Sequence, residues 1–150
     1  MAASPALKTA ALWSGRLLLG GAFAYAAAQK ILDPAAFATD LGHFRLLPVA
    51  LIAPFALYLP WLELLCGVGV LCRWSERGAL FLTALLCGVF CVALASAWFR
   101  GLDINCGCFG HGPVPSSLPL AIARSFALGL IALLLLRQSQ RAGKAVGFGT

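Results

Sequence analysis

The chain has 150 residues, 61% hydrophobic and only 11% charged; soluble domains run near a quarter charged, which excludes a water-soluble globular domain. One compact unit fits this length and a second domain does not. The formal charge of +6 does not point to nucleic acid, because Lys and Arg flank apolar runs, the bias of loops on the inner side of a membrane.

Four apolar runs are evident, at about residues 10–28, 48–71, 78–98 and 118–136, each near the length of about 20 residues that crosses the hydrocarbon core. In hydrocarbon the backbone must satisfy its own N–H and C=O groups, so these runs are expected to be helices. No period-two alternation supports a membrane barrel. The expected fold is an all-α membrane protein, a four-transmembrane-helix bundle with a short interfacial helix between helices 1 and 2. The first run follows Lys8 and ends in Ala24, Ala26, Ala27 and Ala28, which imitates a signal peptide. It exceeds the usual apolar region of about 7–15 residues and contains Arg16, so it is read as a retained helix.

Between the first two spans, Asp33-Pro34 reads as a helix start, with Asp33 as N-cap and Pro34 at the first helical position. Phe37, Leu41 and Phe44 recur at helical spacing with Asp40 and His43 between them, an amphipathic pattern suited to the outer interface and ending near Leu47. Tyr25 and Lys30 just before it also suit an interface, as an amphipathic ring and a snorkelling amine. Pro54 and Pro60 are expected to bend the second span. The basic tail from Arg137 onward is expected to fray.

With the N-terminus inside, the inner segments hold Lys8, Arg73, Arg77, Arg137, Arg141 and Lys144, and the outer segments Lys30, Arg45 and Arg100. This bias places both termini in the cytoplasm. The loop after the third span then faces outward, where disulfides form and persist.

Arg16, Glu63 and Arg124 fall inside spans, where an ionisable residue costs at least about 2.5–3.5 kcal/mol on insertion scales and is usually paired. Counting about 1.5 Å per residue from the span ends sets Arg16 and Glu63 at similar height and Arg124 somewhat higher. A Glu63–Arg16 pair, joined by Arg124, is therefore expected. It reads as a packing clamp, or as a polar pocket for a quinone headgroup or a proton path with Glu63 carrying the proton.

The polar stretch Asp103–His111 carries the specific chemical signal, Cys106-Gly107-Cys108. A disulfide across one intervening residue is a strained ring, easily reduced. Gly107 and Gly110 permit the tight turns, and Arg100 and His111 stand close enough in sequence to stabilise a thiolate. A static disulfide, idle thiols, or a metal site with His111 as third ligand are the alternatives. No second Cys or His pair follows at finger-like spacing, so a closed zinc site lacks ligands. Cys66, Cys72, Cys87 and Cys91 read as ordinary apolar-segment thiols. Cys87 and Cys91 share one helix face, which leaves Cys91 as a possible relay to the loop.

Taken in order, Tyr25, Lys30, Asp33-Pro34, Phe37, Leu46-Leu47-Pro48, Leu59-Pro60-Trp61-Leu62-Glu63, Arg100-Gly101, Cys106-Gly-Cys-Phe-Gly110 and the Arg124 region resemble MauE-type members of the DoxX-like membrane proteins. The similarity runs from about Arg16 to Leu136, and the Cys loop in register with the helical motifs carries its specificity. The resemblance implies a four-helix inner-membrane protein in redox chemistry, with Cys106 and Cys108 as redox pair and Arg16, Lys30, Glu63 and Arg124 as the matching polar positions. It further implies a thioredoxin-like periplasmic partner and maturation of the disulfide-rich small subunit of methylamine dehydrogenase. The expected function is thiol–disulfide oxidoreduction in the lipid bilayer, with outer-face support from Lys30, Arg100 and His111. The competing readings are a non-catalytic assembly factor and a metal or small-solute transporter that uses Cys106, Cys108 and His111 as its entry site.

Overall fold

The structure, a computed structural model, describes residues 5–102 and 118–147, with side chains described for 9–102 and 118–140. These residues form five helices: α1 (Pro5–Leu32), α2 (Pro34–His43), α3 (Val49–Cys72), α4 (Glu76–Phe99) and α5 (Leu118–Gly147). All four apolar runs are helical, and α1 and α5 extend well beyond them. By length and composition α3, α4 and residues 118–140 of α5 suffice to cross a membrane. Helix α1, with Lys8, Arg16 and Lys30 among its 28 residues, is not among them.

Helix α2 starts as the sequence requires. The Asp33 carboxylate accepts from the Ala36 N–H at 2.9 Å, and Pro34 occupies the first turn, where it has no backbone N–H to satisfy. The helix closes at His43, short of Leu47; Arg45 turns the chain with φ 49°, and Pro48 leads into α3. Helix α3 runs continuously through Pro54 and Pro60. Three residues then join α3 to α4, and two of them, Arg73 (φ 57°) and Ser75 (φ 51°), are left-handed without being glycine.

Helix α1 packs chiefly on α3, and α4 on α5, while α2 lies against α3 and α1. Glycine brings α1 and α3 into backbone contact. A Cβ on Gly67 would stand 2.9 Å from the Gly20 carbonyl oxygen and the Ala24 nitrogen, and one on Gly20 would stand 2.5 Å from Leu71 Cγ. Gly20 thus lies between Gly67 and Leu71, and Gly67 between Gly20 and Ala24, so the two helices run antiparallel in a fixed register. Small residues permit this approach where no hydrophobic effect drives helices together.

The core holds Leu19, Phe23, Val70, Leu80, Leu86 and Ala132, with Cys66 and Cys87 among them. Large apolar side chains equally cover the outside: Leu17, Leu18, Tyr58, Leu65, Val92 and Phe126 are all exposed. An apolar exterior around a modest core is the build of a protein solvated by lipid.

Candidate functional site

Buried positions on α1 include Leu19, Phe23, Ala26 and Ala27, and the same stripe continues to Lys30. On α3 the stripe Ala56, Pro60, Cys66, Gly67 and Val70 includes Glu63. The two stripes face each other. Lys30 Nζ donates to Glu63 Oε1 at 2.6 Å and to Oε2 at 2.8 Å, with each side chain 2% exposed. The ammonium also lies 4.9 Å from the ring centroids of both Phe37 on α2 and Phe90 on α4, where ring quadrupoles stabilise a cation. Four helices therefore converge on one nitrogen.

Beside the pair is a cavity of about 40 Å³, lined among others by Cys87, Phe90, Arg124 and Ser125. That is room for about one or two waters, whereas an apolar cavity of about 150 Å³ is needed for a benzene-sized ring. The space next to Glu63 is smaller than a quinone ring. A larger apolar chamber of about 220 Å³ lies between α2, α3 and α4, walled by Phe37, Phe44, Phe55, Leu59 and Phe90. Phe37 and Phe90 belong both to this chamber and to the rings around Lys30.

Two expectations are corrected here. Glu63 does not pair with Arg16: the Arg16 guanidinium donates through Nη2 to Glu76 at the start of α4, and Arg73 Nε reaches the same carboxylate at 3.2 Å. The glycine register explains this. By that register Glu63, four residues before Gly67, stands level with residues 24–28 of α1, so Arg16 lies at least eight residues, or about 12 Å, further along. Nor does Lys30 snorkel to the interface. Helix α1 continues to Leu32, which holds Lys30 inside the bundle instead of at its rim. Arg124 lines the same small cavity as Lys30 and Glu63.

Arg100, expected to support a thiolate, donates through Nη1 to the Phe44 carbonyl at 3.0 Å and ties the end of α4 to the end of α2. Cys106, Cys108 and His111 lie outside the described residues. Cys66 and Cys87 are buried, Cys91 is half-buried and Cys72 is exposed at the end of α3. Among the described residues no group of three His, Cys, Asp or Glu side chains could hold a metal ion.

Sequence reasoning missed Glu76 as an ion-pair partner and Phe37, Cys87 and Phe90 as neighbours of the pair. The signal for Lys30 was present in its spacing of three, four and seven from Ala27, Ala26 and Phe23. The signal for the rings was not, since it depends on how α2 and α4 are rotated.

The model of the family "Methylamine utilisation protein MauE" matches residues 8–137. The chain is 36% identical over 110 residues to the methylamine utilization protein MauE of Methylorubrum extorquens, covering 73% of this chain and 59% of that one. It is 33% identical over 123 residues to the MauE protein of Paracoccus denitrificans, covering 81% of this chain and 66% of that one. A third, from Methylophilus methylotrophus, is 38% identical over 86 residues, 57% of this chain and 45% of its own. The chain thus spans roughly half to two thirds of the length of these curated relatives. No solved structure matches. With the family pattern spread over nearly all of its helical framework, the chain belongs to the MauE family.

Proposed function

We propose that the protein is a membrane thiol–disulfide redox protein of the methylamine utilisation system, acting in maturation of a disulfide-containing client such as methylamine dehydrogenase. The observation that carries this reading is the Cys106-Gly107-Cys108 sequence between α4 and α5, in a chain whose relatives are named for methylamine utilisation. One thiolate of the reduced pair attacks a sulfur of a thioredoxin-like partner's disulfide, and the partner's other sulfur leaves as thiolate. The second cysteine then attacks the mixed disulfide, so the pair ends as a disulfide and the partner as a dithiol. The reverse sequence oxidises the partner.

In this proposal α1 is a fourth membrane crossing, both termini are cytoplasmic, and the protein resides in the inner membrane with the cysteine loop outside. The pairing of α1's charges supports the fourth crossing. Arg16 is matched by Glu76 and Lys30 by Glu63, which offsets the insertion penalty that composition alone assigns to this helix. Helix α2 lies at the outer interface. When the loop pair has oxidised the partner it holds two electrons and passes them to a membrane quinone, and when it has reduced the partner it takes two electrons back from the quinol; the ring of either fits the 220 Å³ apolar chamber behind Phe37 and Phe90.

The test is acid-quenched thiol trapping in intact cells with a membrane-impermeant maleimide. Labelling of Cys106 and Cys108 only after mild reduction, with loss of methylamine-dependent growth in Cys106→Ser and Cys108→Ser, is the expected result. Growth that survives both substitutions would favour the assembly-factor reading and overturn this one.

A further inference from the structure

At the end of the bundle where the α3–α4 turn meets α1 and α5, a pocket of about 300 Å³ is lined by Thr9, Trp13, Arg16, Arg73, Glu76 and Gln138, among others. Its floor carries an excess of positive charge, because the Arg16 and Arg73 guanidinium groups share the single carboxylate of Glu76. Arg16 Nε is buried and has no hydrogen-bond partner among the described residues. An unmet buried donor is costly, and an anion with several acceptor oxygens would satisfy it. Arg73 engages Glu76 through Nε, on a side chain 54% exposed. It also holds a left-handed position with φ 57°, where glycine would be least strained.

The surroundings identify the anion. Among the described residues, this end of the molecule carries Arg16, Arg73, Arg77 and Arg137 against the single acid Glu76. Leu12 and Leu135 add apolar surface to the pocket wall, and the Trp13 ring lies 6.0 Å from the Arg16 guanidinium carbon. Arginines beside apolar wall and an interfacial indole match a phosphate joined to acyl chains better than a free ion. We propose that this pocket binds the phosphate headgroup of an anionic phospholipid, with Arg16 and Arg73 as its ligands.

The purified full chain in detergent would be titrated with dioctanoyl phosphatidylglycerol, dioctanoyl phosphatidylcholine and inorganic phosphate, with bound species counted by native mass spectrometry. The anionic lipid is expected to bind in preference to both others, and each of Arg16→Gln and Arg73→Gln to weaken it about fivefold. Arg45→Gln, at the opposite end, should leave binding unchanged. Because Arg16→Gln also breaks the tie to Glu76, Arg73→Gln decides the matter if the first variant does not fold. Equal binding of phosphatidylcholine, undiminished binding by Arg73→Gln, or an equal loss in Arg45→Gln overturns the proposal. Inorganic phosphate binding as tightly as the lipid would overturn it in favour of a soluble anion.

Discussion

Lys30 and Glu63, 33 residues apart in sequence, meet at 2.6 and 2.8 Å inside the bundle with both side chains sealed from the surface. Both oxygens of the carboxylate are taken by one ammonium, and two phenyl rings flank that ammonium at 4.9 Å. The pair is the point at which α1, α2, α3 and α4 are joined.

Removing one member strands the other charge. Lys30→Met or Glu63→Leu should each lower stability by about 3–5 kcal/mol, whereas the two combined should lose less than either alone. Denaturation of the purified protein in detergent gives the double-mutant cycle. Strictly additive losses would show that the two residues act independently.

The α1–α3 register rests on Gly20 and Gly67. Gly67→Ala should destabilise by about 1–3 kcal/mol, because a Cβ there meets rigid backbone and cannot be accommodated by a rotamer change. Gly21→Ala, with nothing within 4 Å of the new Cβ, should be neutral or slightly stabilising. Equal melting curves for the two variants would remove the glycine contact as the cause of the register.

Helix α2 depends on its cap. Asp33→Ala removes the acceptor for the Ala36 N–H and should weaken the helix start by about 0.5–2 kcal/mol. Hydrogen exchange should rise across residues 34–43 while α4 remains protected. Uniform acceleration through both helices would mean that Asp33 governs the whole bundle instead.

Cys72 precedes α4 in the chain and the loop cysteines follow it, and the 24 residues of α4 span about 36 Å. An impermeant maleimide applied to cells should label reduced Cys106 and Cys108 and leave Cys72 unlabelled until the membrane is opened. Labelling of Cys72 from outside under the same conditions would reverse the proposed orientation.

Much of the framework was legible in the sequence, for a simple reason. Hydropathy and the Asp33-Pro34 signal are local properties, and a segment in lipid has to satisfy its own backbone. The helical runs and the α2 start follow from that. The Cys106-Gly107-Cys108 signal is local in the same sense. The pairing of charges is a different kind of fact. It depends on the register between helices, set by Gly20 against Gly67, and on α1 continuing four residues past Ala28, so that Lys30 turns inward. Those two features assign Glu63 to Lys30 and Arg16 to Glu76, and they bring Phe37 and Phe90 to the same ammonium. No spacing along the chain encodes the rotation of one helix against another; only close packing of the assembled bundle decides it.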